Sequence, residues 1–396
     1  MSYRTTAPRY PLPPQDGFLL KDLEGPVETL SPEAAVQSSG RVQLRNVKPL
    51  ASYSWIEGRT PSIVVPGCPR IWRNTIVTTV PADSGVHYLD RNTSFMGHRP
   101  SLTPIFAAVD SLHDDFQYRD LDLVTDRNNL RKLLRCIDRQ QDKTFRIDID
   151  LLGKTCLFTR REETLVETTK EFRGYGHEYE LAATKPRRGS EGEISHHRIV
   201  RYEFGGLKVL LRYEVDACTE PESEDDSLLA SFSALSVGTR GAPTLSKDSA
   251  FSTRFGVRVK MSSPRSVVPQ SSIIEIKTRA AHKELDWKEF YPQLYLSQTF
   301  HLYLAKHTHG TFGRVEKFQL NSQGMAVHAR GAETAMAKLE VLLSAVLKAV
   351  RKHGEGVPLS LVYRAGKLQL YKRKANGTSQ PFEKDIASKF QRAVAN

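Results

Sequence analysis

Two short runs hold residues that a folded chain does not place cheaply. KVLLRYEVDAC (208–218) is an apolar, strand-like run that ends in Glu214, Val215 and Asp216. Side chains alternate along a strand, so the two carboxylates share a face across Val215. SSIIEIKTR (271–279) repeats the design, with Glu275 and Lys277 sharing a face across Ile276. Three carboxylates and an ammonium on apolar strands are costly to bury unless a cation neutralises them. Hard oxygen ligands of this kind suit magnesium or manganese, which bind through a few carboxylates, waters and substrate phosphate oxygens. The lysine would supply fixed positive charge beside a phosphate and an attacking water. Either strand alone reads more simply as a polar face turned to water, with a Glu–Lys pair worth little. The two together, each directly after an apolar run, argue for a site.

The elements that must hold these strands follow from periodicity. SYSWIEG and PSIVVPG read as strands, with Pro66-Gly67 as the stop. DLVTDR is a strand leading into a short basic helix: Leu130, Leu133, Leu134 and Ile137 recur at helical spacing, with Arg131, Lys132, Arg135 and Arg139 on the other faces. TFRIDIDLLGKTCLFTRRE predicts a hairpin breaking at Gly153, and HRIVRYEFGGLKVLLRYEVDAC one turning at Gly205-Gly206. LDWKEFYPQLYLSQTFHLYLA reads as an aromatic-rich helix interrupted at Pro292. AETAMAKLEVLLSAVLKAVRKHG is the strongest helix, stopping at Gly354 before a hairpin about Ala365-Gly366. The expected class is mixed α/β (α+β). Residues 1–45, rich in Pro, Ser and Glu, are expected to be an extended, partly ordered arm. Residues 46–396 are expected to form one large domain, with a mobile Ser-, Asp- and Gly-rich insertion at 219–252.

Composition bounds the partners. The 396 residues carry 57 Lys+Arg against 45 Asp+Glu, a net charge of +12, which points to a polyanion, nucleic acid ahead of lipid. With 39% hydrophobic residues and 25 glycines the chain can bury a core, which excludes a wholly disordered, collagen-like or small disulfide-stapled protein. Four scattered cysteines show no Cys-x-x-Cys spacing and read as free thiols. No run reaches the length of a spanning helix and the start has no apolar leader, so a soluble protein of the nucleus and/or cytoplasm, with no membrane partner, is expected. Arg131–Arg139, Lys185–Arg188 and Arg198–Arg201 are expected to guide a phosphate chain, with His196 and His197 as surface or phosphate contacts. Trp287, Phe290, Tyr291 and Tyr295 have near-helical spacing and read as core before base-stacking. P-loop, zincin and hydrolase-elbow motifs are absent.

The acidic-x-Lys arrangement resembles the core of PD-(D/E)XK nucleases, and more closely the DXO-type decapping nuclease family of RNA 5′-end quality-control enzymes. Its motifs are matched by Glu214-Val215-Asp216, by Glu275-Ile276-Lys277-Thr278, by Gly176-His177-Glu178-Tyr179-Glu180, by Gln293 and by Arg127 in DLVTDRNNLRKLL. His177 stands where the family has a hydrophobic residue, and Asn128 where it usually has glycine. If 176–180 were a strand, Glu178 and Glu180 would share a face, and either could be the ligand. The resemblance implies a PD-(D/E)XK-like core of mixed sheet flanked by helices, with a second sheet or hairpin region. It implies direct ligation of two Mg2+ or Mn2+ ions by Glu180, Asp216 and Glu275, with Glu214 direct or through water and the Ile276 carbonyl completing the shell. Lys277 and Gln293 would orient the attacking water, and Arg127 would hold a substrate phosphate. The implied substrate is an RNA 5′ end bearing a cap, a triphosphate or a non-canonical nucleotide cap, with 5′→3′ nucleotide removal following. A DNA-directed nuclease of the same superfamily, and a non-catalytic RNA-binding scaffold that activates an exoribonuclease partner, are the competing readings.

Overall fold

The computed structural model describes residues 16–31, 42–138, 144–169, 174–220, 251–263, 265–375, 377 and 381–391. Positions 221–250 of the expected insertion, Arg139, and most of the first 41 residues lie outside the described set. Within it the chain is mixed α/β, built on two sheets that meet at one residue.

The larger sheet has twelve described strands. From one edge it runs through Leu23–Leu30, the hairpin of Leu359–Arg364 and Lys367–Arg373, the hairpin of Phe145–Leu152 and Thr155–Arg161, and Leu123–Asp126. It continues through the hairpin of Glu193–Phe204 and Leu207–Val215, then Leu44–Ile56, Ser62–Val65, Val257–Met261 and Ser252–Arg254. Gly205 and Gly206 both take positive φ, 57° and 88°, which lets a two-residue turn join strands of right-handed twist. Leu23–Leu30 pairs with Lys367–Arg373, so part of the expected N-terminal arm is an edge strand, and the boundary drawn at residue 45 falls inside the Leu44–Ile56 strand.

Alternation divides this sheet between two cores. Leu123, Val209 and Leu211 pack with the long helix Ala326–His353, through Leu339, Leu343 and Val346. Val124 and Leu210 point the other way, to the apolar helix Thr103–Leu112. Helices therefore cover both faces, which is why the central strands are nearly continuous in apolar residues.

The second sheet orders Thr184–Lys185, Ile71–Trp72, Ala217–Cys218, Ile273–Ala280, His301–Thr308 and Thr311–Phe312, with Glu316–Gln319 also pairing His301–Thr308. Ile273–Ala280 and His301–Thr308 are parallel and joined by the helix Trp287–Ser297, a βαβ crossover. This corrects the expected long helix. The helix passes through Pro292, which forfeits one hydrogen bond, and stops at Gln298 in the left-handed region; His301–Thr308 is a strand in which Leu302 and Leu304 face one core.

Two further expectations are overturned. His196 and His197 are not surface residues but lie buried in the Glu193–Phe204 strand, His196 bonded to Ser54 Oγ and His197 to Asn92, each at 3.0 Å. Arg198 is likewise buried and donates to the Val268 carbonyl, so it cannot track an external phosphate chain. The neighbouring strand Leu44–Ile56 flanks them with its own side chains, Tyr53 stacking on His197. The four cysteines are free, three of them buried. Among the described residues no helix is long and apolar enough to cross a membrane.

Candidate metal and phosphate centre

The chain passes from the larger sheet to the smaller at Asp216. Leu207–Val215 ends the first, Ala217–Cys218 begins pairing in the second against Ile273 and Ile274, and Asp216 stands between them. That crossover sets the acidic strand beside the lysine strand. The Ile276 N–H donates to Asp216 Oδ2 at 2.7 Å, and Lys277 Nζ stands 4.0 Å from the same oxygen. Lys277 Nζ also pairs with Glu275 Oε1 at 2.6 Å.

Glu275 is the most enclosed member, 3% exposed. Arg127, the first residue of the helix Arg127–Ile137, reaches its Oε2 at 3.0 Å and donates to Ser297 Oγ at 3.2 Å, while its guanidinium lies over the Tyr213 ring. Gln293, in the middle of the crossover helix, donates to Glu275 Oε1. One helix thus presents Gln293 and Ser297, one turn apart, on the face turned to the lysine strand.

Glu180 arrives from a different direction. Gly176–Ala183 is a helix, not the strand on which Glu178 and Glu180 would share a face. Residues two apart on a helix project roughly 200° apart. Glu180 is the one within electrostatic reach of Asp216, Lys277, Glu214 and Glu275. Asp83 fixes this helix from outside, accepting from the N–H groups of Gly176 at 2.8 Å and Glu178 at 3.0 Å, which serves helix-end donors that the N-cap Tyr175 leaves unbonded.

The electrostatics of the cluster are unbalanced. Burial, and then the neighbouring Asp216, push the Glu180 carboxyl well above the ordinary range. Burial followed by the charge of Glu275 raises Asp216 to about 7. Glu214 is exposed, and the upward push of desolvation on it is opposed by Arg91, Arg160 and Arg127. Glu275 is the exception: against the upward push of burial, Arg127 and Lys277 hold it down at about 2. The carboxylates in turn raise Lys277 despite its burial. Three carboxylates, Glu180, Asp216 and Glu275, thus share Arg127 and Lys277, and the set fits a divalent ion that would ionise the other two. Among the described residues no three His, Cys, Asp or Glu side chains already stand as a metal-holding group, and the Glu275 oxygens accept from Arg127, Lys277 and Gln293.

The structure brings together Arg127, Glu180, Glu214, Asp216, Glu275, Ile276, Lys277 and Gln293. Of the other basic clusters, Arg131 and Arg135 both pair with Glu289, Arg131 standing near Arg127, and Lys185 pairs with Glu220. Sequence reasoning missed Asp83 and Ser297, which nothing in their local pattern marks; a helix face shared with Gln293 was the one available hint for Ser297.

This fold is that of the Rai1 proteins. Three similar solved structures are S. pombe Rai1 in complex with 3′-FADP, Scheffersomyces stipitis Rai1 in complex with (3′-NADP)+ and calcium ion, and Candida albicans Rai1 in complex with pU5-Mn2+. Their TM-scores are 0.57, 0.55 and 0.50 at 15%, 12% and 11% identity, covering 87%, 89% and 92% of this chain and 99%, 95% and 95% of theirs. The resemblance to decapping nucleases read from the motifs therefore holds at the level of fold. By sequence, the family described as "Domain of unknown function (DUF8563)" matches residues 31–378, and the chain belongs to it. No curated protein matches.

Proposed function

We propose that this protein is a divalent-metal-dependent hydrolase of RNA 5′ ends, removing a cap, a triphosphate or a non-canonical nucleotide cap. The observation that carries the reading is the cation-poor carboxylate cluster at the sheet junction, with an ammonium and a guanidinium beside it. Glu180, Asp216 and Glu275 would hold Mg2+ or Mn2+, with Glu214 and the Ile276 carbonyl completing the coordination. Bound there, two such ions supply charge that stabilises the attacking and leaving oxygens of an in-line displacement. Lys277 and Gln293, both on Glu275, orient the attacking water and favour its deprotonation. Arg127 steadies Glu275 until cations take over that task, and its guanidinium then suits a substrate phosphate. No side-chain nucleophile is required. Neighbours whose complexes hold pU5 with Mn2+ or 3′-FADP support a nucleotide 5′ end as substrate. The intact carboxylate–lysine set speaks against a purely scaffolding role.

The test is incubation of the protein with matched 5′-capped, 5′-triphosphate and 5′-monophosphate RNA and single-stranded DNA, in Mn2+ or EDTA. Mn2+-dependent release of the cap nucleotide or pyrophosphate is expected. Cleavage confined to DNA, or turnover of no RNA, would sink the reading.

A further inference from the structure

We propose that the cavity beside this centre is a second phosphate subsite, in which Arg91 and Arg131, backed by Arg160, take a substrate phosphate next to the one hydrolysed. The inference rests on the function proposed above and deepens it. The cavity, about 150 Å3, is lined by these arginines together with Arg127 and Glu214, the two residues it shares with the carboxylate centre. An anion held there would sit one group away from the reacting phosphate.

The lining of this cavity carries five arginines against three carboxylates, with Arg91 and Arg160 also in the field of Glu214. Of its carboxylates, Asp126 is consumed by a two-pronged pair with Arg212, at 2.6 and 2.9 Å, and Asp90 caps the helix Arg91–Met96 by accepting from the Thr93 N–H. Glu214 belongs to the metal set. Arg91 has no ion-pair partner among the described residues; its one hydrogen bond goes to the Ile194 carbonyl at 2.8 Å. Arg131 gives one nitrogen to Glu289 at 2.7 Å, and Arg160 gives Nε to Glu162 at 2.6 Å, both outside the cavity lining. A guanidinium carries five N–H donors, so each keeps most of its fork for another acceptor. Burial, and then the crowding charge of Arg127, weaken the protonated form of Arg131, a cost that a bound anion relieves. Convergent guanidinium forks with spare donors match phosphate oxygens.

The phosphate could belong to the 5′-terminal group or to the next internucleotide link, and the experiment separates them. Affinities of a 5′-triphosphate and a 5′-hydroxyl pentanucleotide RNA would be measured by calorimetry in EDTA, which prevents turnover, for the wild type, Arg91→Gln and Arg131→Gln. Each substitution is expected to weaken binding by about tenfold or more. Loss confined to the triphosphate RNA assigns the subsite to the terminal phosphates; equal loss on both assigns it to an internucleotide phosphate. Unchanged affinity for both RNAs overturns the proposal. Should Arg131→Gln fail to fold, because it also breaks the Glu289 pair, Arg91→Gln decides alone, since it gives up a single bond to a main-chain carbonyl. If the wild type hydrolyses no RNA in Mn2+ yet the variants still bind RNA more weakly, the proposed function falls and the subsite stands.

Discussion

Two carboxylate clusters in this protein, one buried and one half-buried, differ in their electrostatics. Asp148, on the Phe145–Leu152 strand, is 1% exposed and is bonded by Arg146 Nε at 2.7 Å and Ser360 Oγ at 2.6 Å. Arg161 and Arg373 stand at 3.4 and 3.7 Å. Against the push of burial, Arg373 and then Arg146 hold its carboxyl below the ordinary range. Asp216 is also enclosed, yet its carboxyl rises to about 7. The difference is stoichiometric. Three guanidiniums surround Asp148, although burial still raises its neighbour Asp150, whereas Glu180, Asp216 and Glu275 share Arg127 and Lys277, and Glu214 lies nearest Arg91 and Arg160. The first network holds Asp148 ionised as folded; the second leaves Asp216 and Glu180 raised, which is what the proposed metal site requires.

The largest effect that could break this contrast is on turnover. Asp216→Asn or Glu275→Gln should lower the rate on 5′-end substrates by at least about 10²–10³-fold, the scale of losing one preorganised electrostatic group. Asp216→Asn should not lower the urea midpoint, whereas Glu275→Gln, which unpairs Arg127 and Lys277, should lower it; wild-type rates in either variant would show that the centre is elsewhere. Asp148→Ala leaves buried arginines unpaired and should cost about 3–5 kcal/mol in denaturant titration, with Mn2+ affinity retained. Mn2+ at a hundred times its dissociation constant should stabilise the wild type by about 2.7 kcal/mol in thermal unfolding, and Asp216→Asn should erase most of that shift.

The pH dependence sharpens the comparison further. Asp216 is raised when folded, so in the metal-free protein its contribution to stability is fully present below its unfolded value and is lost as pH rises through about 7. Asp148 is depressed, so its contribution is present above its unfolded value and is lost as acid titrates the folded group. Asp216→Asn should therefore flatten the metal-free stability profile on the approach to pH 7 and leave the acid limb unchanged, as read from denaturant midpoints against pH. The smallest effect belongs to the exposed Lys185–Glu220 pair, where Lys185→Ala should change stability by less than about 1 kcal/mol.

Much of this molecule was legible locally. The hairpins at Gly205-Gly206 and Ala365-Gly366, the long helix before Gly354, and the pairing of Glu275 with Lys277 all follow from short-range period and turn chemistry. The failures were of two kinds. The burial of His196, His197 and Arg198 is not legible in a strand pattern, which does not say what packs on each face; Ser54 and Tyr53 of Leu44–Ile56 flank the two histidines, and Asn92 and Val268 meet His197 and Arg198 from more distant segments. His301–Thr308 reads as helix in the sequence, and Gly176–Glu180 is left open, because a run of about five to eight residues fits either period and tertiary packing decides between them.

By itself the sequence determined which residue types could hold divalent cations and that Glu275 and Lys277 face one side of a strand, because alternation is a local property of the backbone. Only the tertiary structure decided that Asp216 falls where the chain crosses between two sheets, that Glu180 rather than Glu178 faces the cluster, and that Arg127, Lys277 and Gln293 converge on Glu275. Those are long-range facts. The charge balance that separates a structural carboxylate network from a reactive one depends on which distant cations the fold brings within a few ångströms, and no local pattern encodes that.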